Sequence, residues 1–293
     1  MVGRTYDGVV VTAPGLEAIT LAELRALGIA ATVEDAGTIG GAMTLAQVAM
    51  ANIALRTASR VVVRVATFAA PGFRELEKGA KTLDWSRFAP RGGAVAFRVT
   101  CRKSRLYHSD AVAQRLGNAL LARVPDARVV KWSDEEDDQV QRFVVRLMRD
   151  ECTVSADSSG TLLHRRGYRL ESGKAPLRET LAAAMLLASG WDAASPLIDP
   201  MCGSGTLAIE GAMLARGIAP GSGRAFAGER WPSGDAAVWR EARATARAAE
   251  RAINFPILAS ARDAGAMAAA SANAERAGVL DTLTLATQPY SAL

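Results

Sequence analysis

The sequence predicts an α+β half followed by a doubly wound α/β half, and three observations carry that reading. Up to about residue 157, apolar runs such as Val9-Val10-Val11 and Val61-Val62-Val63 mix irregularly with amphipathic helices. After Gly160, helices and strands alternate one for one, the pattern of a parallel sheet covered on both faces. Between them, Leu197-Ile198-Asp199-Pro200-Met201-Cys202-Gly203-Ser204-Gly205-Thr206 reads as a buried strand, a glycine turn and a helix start. At 293 residues, 49% hydrophobic and 22% charged, the chain has length for two domains or a little more.

The elements follow in order. Val9 to Val11 is a strand, and Pro14-Gly15 precedes a helix with Leu16, Ile19, Leu24 and Leu27 that stops at Gly28. Thr38 to Leu45 is a glycine-rich strand, Ala46 to Ser59 a helix, and Arg60 to Phe68 a well-buried strand. Phe73 to Leu83 reads as a helix and Ala94 to Cys101 as a strand. Ser109 to Val124 is a long amphipathic helix with Val112, Leu116 and Leu120 on its stripe. Val140 to Met148 and Cys152 to Ala156 are strands. In the second half, helices are expected at 179–189, 204–216, 235–252 and 263–277, and strands at 197–199, 257–261 and 282–286.

The turn after Asp199 carries the chemistry. Gly203 and Gly205 let the backbone approach a ligand, while Ser204 and Thr206 leave helix amides free for a carboxylate or phosphate. An ordinary strand-to-helix turn is the plainer alternative. No lysine follows the second glycine, which excludes the P-loop, and no third glycine sits at the dinucleotide spacing.

Charge and cysteine usage narrow the setting. Residues 1–157 carry 21 Lys+Arg against 18 Asp+Glu, residues 158–180 carry 5 against 2, and residues 181–293 carry 9 against 10. The basic excess precedes the cofactor turn, so a polyanion is expected on the N-terminal part and the linker. Residues 1–180 are expected to bind structured RNA by themselves. Two clusters stand out: Arg98, Arg102, Lys103 and Arg105, and then Arg165 and Arg166 beside Tyr168, a ring available for stacking. For each cluster a solvated basic loop is the plainer alternative. The acidic run Asp134 to Asp138 is expected to be a solvated hairpin loop facing away from RNA. Cys101, Cys152 and Cys202 form no C-x-x-C pair, which points to a reducing cytoplasm with no disulfide framework and no metal site. His108 and His164 have no nucleophile or acid constellation nearby and read as structural.

The string D-P-M-C-G-S-G-T at 199–206, with Leu163-His164-Arg165-Arg166-Gly167-Tyr168-Arg169-Leu170 and Ala175-Pro176-Leu177-Arg178-Glu179-Thr180-Leu181 before it, resembles the THUMP-containing RNA methyltransferases. Within them it is most similar to the bacterial 23S rRNA (guanine-N2) methyltransferases, over nearly the whole chain. The resemblance implies a ferredoxin-like layer at 1–65, a THUMP-like RNA-binding domain at 66–157, a basic linker at 158–180 and a partial Rossmann-like class I methyltransferase domain at 181–293. It implies S-adenosylmethionine as cofactor and structured RNA, 23S rRNA in particular, as partner. Asp199 would orient the amino end of the cofactor, and Pro200, Cys202, Gly203, Ser204, Gly205 and Thr206 would hold its methionine part. Glu210 recurs in the family string, as a functional or an interface residue.

The chain departs from the family pattern twice. Where the family has G-S-D-x-D at the end of strand 2, this chain has Ala259-Ser260-Ala261-Arg262-Asp263, so the ribose-binding acid has become Ala261. Asp263 would reach the ribose or cap the next helix. Thr287-Gln288-Pro289-Tyr290 is read as the loop after strand 3, not as the catalytic N-P-P-Y. Only strands 1–3 of the family's sheet are expected, with no catalytic residue of the N-P-P-Y loop and an open edge inviting self-association or a completing chain. A catalytically silent RNA-binding protein or a gene fragment is the alternative reading.

Overall fold

The computed structural model describes residues 5–133, 137–170 and 177–292. The N-terminal half is built on one eight-stranded sheet in the order β2-β3-β1-β4-β8-β7-β5-β6. Its strands are β1 (Thr5–Thr12), β2 (Thr32–Asp35), β3 (Thr38–Thr44), β4 (Ala58–Ala69), β5 (Ala94–Arg102), β6 (Arg128–Val129), β7 (Val140–Met148) and β8 (Glu151–Asp157). The helices between them are α1 (Glu17–Ala26), α2 (Leu45–Ala54), α3 (Phe73–Thr82) and α4 (Ser109–Leu121). Thr44 opens α2 through a reciprocal cap with Gln47, which satisfies two amides that would otherwise lack partners.

The two N-terminal modules are joined rather than separate. β4 runs from Ala58 to Ala69, so the boundary expected at 65/66 falls inside a strand. β4 pairs antiparallel with β1 on one side and with β8 on the other, Val62 opposite Asp157 and Ala69 opposite Glu151. A hydrogen-bonded ladder on both edges makes the two layers one sheet. Arg60 on β4 is ion-paired with the fully buried Asp157 at the end of β8, which also accepts from the amide of Ser159 and so shapes the exit into the linker.

The core of this half is aromatic at one end. Phe97 and Phe143 face each other across the parallel β5–β7 pair with ring centroids 5.5 Å apart, and Trp85 meets both edge-on at 5.9 and 5.1 Å. The same core continues into the C-terminal half. Ala219, Phe226, Trp231, Trp239, Ala242 and Ala246 belong to it, and α7 (Ala236–Ala248) packs along α2. Trp231 meets Phe88 edge-on at 4.9 Å and donates its indole N–H to Gln141 Oε1 at 2.9 Å. Cutting at 180 would strip a wall from the N-terminal core, which bears on the expectation that residues 1–180 act alone.

The C-terminal half contains α5 (Glu179–Ala188), β9 (Leu197–Asp199), α6 (Thr206–Ala215), α7, β10 (Ile257–Ala261), α8 (Ala264–Arg276) and β11 (Leu283–Thr287). The strands are parallel and ordered β11-β10-β9, and their core is Ile209, Ala212, Ile257, Ala259, Ala270 and Val279 with their neighbours. β9 lies at the edge among the described residues, and Ile198 on it is 53% exposed. No helix among the described residues is long and apolar enough to cross a membrane.

Candidate functional site

The site lies at the carboxyl ends of β9, β10 and β11, where loops of a doubly wound sheet hold ligands. Three backbone bonds stitch these loops together. Cys202 N donates to Ser260 O at 3.0 Å, Gln288 N donates to Ala261 O at 3.0 Å, and Gly205 N donates to Cys202 O at 2.8 Å. Asp199 closes β9, is nearly buried, and accepts from Met201 N at 3.3 Å. Burial pushes its carboxyl above the usual aspartate range, and the single amide bond only partly offsets this. Asp199 is a poorly compensated carboxylate, suited to a cationic ligand group.

The two glycines do different work. Gly203 has φ +54° and nothing within 4 Å of where a β-carbon would stand. Gly205 has φ +85°, and a β-carbon there would stand 3.0 Å from the Ala270 methyl. Gly203 thus faces open space on the ligand side, and Gly205 lets α8 press against the back of the turn. Helix α6 begins at once: Ile209 N makes its bond to Gly205 O, and no side chain caps the amides ahead of it. Those amides and the helix dipole suit a carboxylate. Cys202 is buried with Sγ 3.7 Å from Met267 Sδ, and its thiol is pushed up to about 11 by burial, so it is an apolar wall and not a nucleophile. An open glycine, free helix amides and an under-compensated carboxylate together fit an amino-acid end such as that of S-adenosylmethionine.

The end of β10 is different. Ala261 ends β10, and Asp263 Oδ1 accepts from Ala266 N at 2.6 Å as the N-cap of α8. The capping alternative is the one the geometry displays. Arg262 is exposed and makes no hydrogen bond or ion pair among the described residues.

The basic residues divide. Arg98, Arg102, Lys103 and Arg105 are exposed along β5 and the loop after it. Arg98 lies over the Trp132 ring at 5.5 Å, and Arg105 is paired with Asp150 at 2.8 Å. Arg165 is exposed too. Arg166 and Tyr168 are not: they are 7% and 4% exposed. Arg166 donates to Leu163 O and Arg56 O, both at 2.5 Å, and stands 3.4 Å from Glu210 Oε1; Tyr168 donates its hydroxyl to the same oxygen at 3.1 Å. Their assignment to RNA is corrected here, because a ring and a guanidinium committed to a buried carboxylate cannot stack on a base. Glu210 is accordingly an interface residue. Asp138, from the acidic run, accepts from Thr161 at the start of the linker; residues 134–136, with Ala175 and Pro176, lie outside the described residues.

Two residues that sequence reasoning passed over stand behind the turn. Asn273 donates to Ser204 O at 3.1 Å, and Arg276 joins Asn273 to the linker. A buried amide among Met267, Ala270 and Ala274 on a helix otherwise apolar on that face was the available signal.

A parallel sheet with a glycine turn at the carboxyl end of its first strand fits a class I methyltransferase-like cofactor domain, carried beside the eight-stranded N-terminal sheet. Comparison with known proteins agrees at each part. Residues 8–62 match the RlmL ferredoxin-like domain, 71–157 the THUMP domain, and 166–293 the RMKL-like methyltransferase domain. YpsC of Bacillus subtilis, named as a candidate RNA methyltransferase, is 35% identical over 94% of this chain and 72% of its own length. Ribosomal RNA large subunit methyltransferase K/L of Methylococcus capsulatus is 38% identical over 92% of this chain and 38% of its own length. Among solved structures, SMU.472, named as a candidate methyltransferase and complexed with SAH, superposes with a TM-score of 0.87 at 32% identity, over 99% of this chain and 77% of that one. The chain belongs to the family of THUMP-containing, S-adenosylmethionine-dependent RNA methyltransferases.

Proposed function

We propose that the chain serves methylation of large-subunit ribosomal RNA at the exocyclic N2 of a guanine, in the cytoplasm. The single observation that carries the cofactor half of this reading is the turn, open at Gly203 and backed by α8 at Gly205. Similarity to the K/L enzymes supports the RNA half. S-adenosylmethionine, when bound, supplies an electrophilic methyl group on a sulfonium. Asp199 accepts hydrogen bonds from the ligand's amino group, and the first amides of α6 hold its carboxylate. Cys202 and Met267 keep the floor of the site apolar and dry. Guanine N2 is a poor nucleophile, so the chain's contribution is placement of the two reactants in line. Arg98, Arg102, Lys103, Arg105 and Arg165 contact phosphates and orient the RNA.

Calorimetry with S-adenosylhomocysteine tests the cofactor site: the wild-type chain binds and Gly203→Val does not. Mass spectrometry of undermethylated 23S rRNA incubated with the chain and cofactor tests the reaction. Methyl groups on adenine, or on guanine at another atom, would overturn the N2 reading.

A further inference from the structure

One face of α8 is the back wall of the cofactor turn. Met267, Ala270 and Asn273 recur at three-residue spacing and each meets a different turn residue. Met267 meets Cys202, Ala270 meets Gly205, and Asn273 Nδ2 donates to the Ser204 carbonyl at 3.1 Å. The peptide joining Ser204 to Gly205 is thereby held at both ends, its C=O by Asn273 and its N–H by Cys202 O. That peptide plane leads directly into α6, so its orientation aims the amides offered to the cofactor.

Asn273 is fully buried, and its amide is oriented by a neighbour that can only donate. Arg276 Nη2 donates to Asn273 Oδ1 at 2.6 Å, which turns Nδ2 toward Ser204. Arg276 Nε in turn donates to the Tyr168 carbonyl at 2.7 Å, and the Tyr168 hydroxyl reaches Glu210 on α6. The linker segment around Tyr168 therefore touches both helices that frame the turn, α8 by its backbone and α6 by its side chain.

Resting on the assignment of this turn to the cofactor, we propose that Asn273 is a positioning residue for cofactor binding, oriented by Arg276, which ties the shape of the turn to the linker at Tyr168. Asn273→Asp keeps an acceptor for Arg276 and removes the donor to Ser204. Arg276→Gln removes the group that orients the amide.

The test uses the full chain labelled with 15N-glycine and titrated with S-adenosylhomocysteine. Both variants are expected to bind about tenfold or more weakly, as for loss of one buried hydrogen bond. They are also expected to shift the Gly203 and Gly205 amide signals while Gly37 and Gly117, in the N-terminal half, stay in place. A merely structural role would move all four signals or none. Wild-type affinity in either folded variant overturns the proposal, as does a shift spread over all glycines; if Asn273→Asp fails to fold, Arg276→Gln decides. Failure of the wild-type chain to bind the ligand counts against the cofactor assignment itself, and the glycine signals still report whether Asn273 holds the turn.

Discussion

The Ala270 methyl stands where a side chain on Gly205 would have to go, 3.0 Å from the position of its β-carbon. Gly205→Ala combines that contact with a positive φ and is expected to lower the thermal midpoint, at a cost of about 1–3 kcal/mol. Gly203 has the same backbone constraint with open space around it, so Gly203→Val is expected to abolish binding of S-adenosylhomocysteine. Paired calorimetry and thermal melts separate the two. Equal losses of stability and affinity in both variants would remove the distinction between a packing glycine and a ligand-facing one.

Asp199 should show a pH signature. Burial raises its carboxyl, so the folded apo chain holds the proton more tightly than the unfolded chain does. The stability it contributes is present in full below the unfolded pKa and is lost as pH rises through the raised folded value. Asp199→Asn is expected to stabilise the apo chain at neutral pH and to weaken S-adenosylhomocysteine, whose amino group loses its carboxylate. In the wild type, ligand affinity should fall as the pH is lowered through the raised value; a flat profile in titrations at several pH values would contradict the assignment.

Ala261→Asp should tighten the ligand. A carboxylate at the end of β10 would accept from the ribose hydroxyls, and charge-assisted bonds of that kind contribute about 1.5–3 kcal/mol, roughly tenfold to a hundredfold in affinity. Calorimetry showing no gain would mean the ribose lies elsewhere.

The basic residues should separate by burial. Arg102→Ala with Lys103→Ala is expected to weaken RNA of any sequence and to reduce the salt slope by about 1.4 to 1.8. Arg166→Ala is expected to cost about 3 kcal/mol in stability, since it removes a cation paired with the buried Glu210 and leaves that carboxylate the Tyr168 hydroxyl, and to leave the salt slope unchanged. Filter binding across a salt series, alongside urea melts, would show the reverse pattern if Arg166 contacted RNA.

Local periodicity made most elements legible. The expected bounds 197–199 and 257–261 coincide with β9 and β10, because short apolar runs between turn residues leave little freedom, although β9 is an edge strand with Ile198 exposed and not the buried strand expected. β2 was missed, since Thr32 to Asp35 is exposed along its length and has no apolar alternation to read. β6 was missed at two residues long. In the site, the glycine turn was visible because its chemistry is written in consecutive residues. Arg166 and Tyr168 were misread because charge and aromaticity are local, whereas the partner that buries them, Glu210, is more than forty positions away. Asn273 was overlooked for the same reason: its meaning depends on Ser204.

The N-terminal core is walled in part by Trp231 and Trp239, which the ribosome delivers well after β8 is complete. Vectorial synthesis therefore presents the N-terminal half first in an open form, with its sheet paired and Phe88 still wet. Closure waits for about ninety further residues, among them the whole glycine turn. A nascent chain halted between the two should be sensitive to protease at the N-terminal module, and one extended past α7 should be resistant. The N-terminal half would then close before α8, the wall behind the glycine turn, has been made.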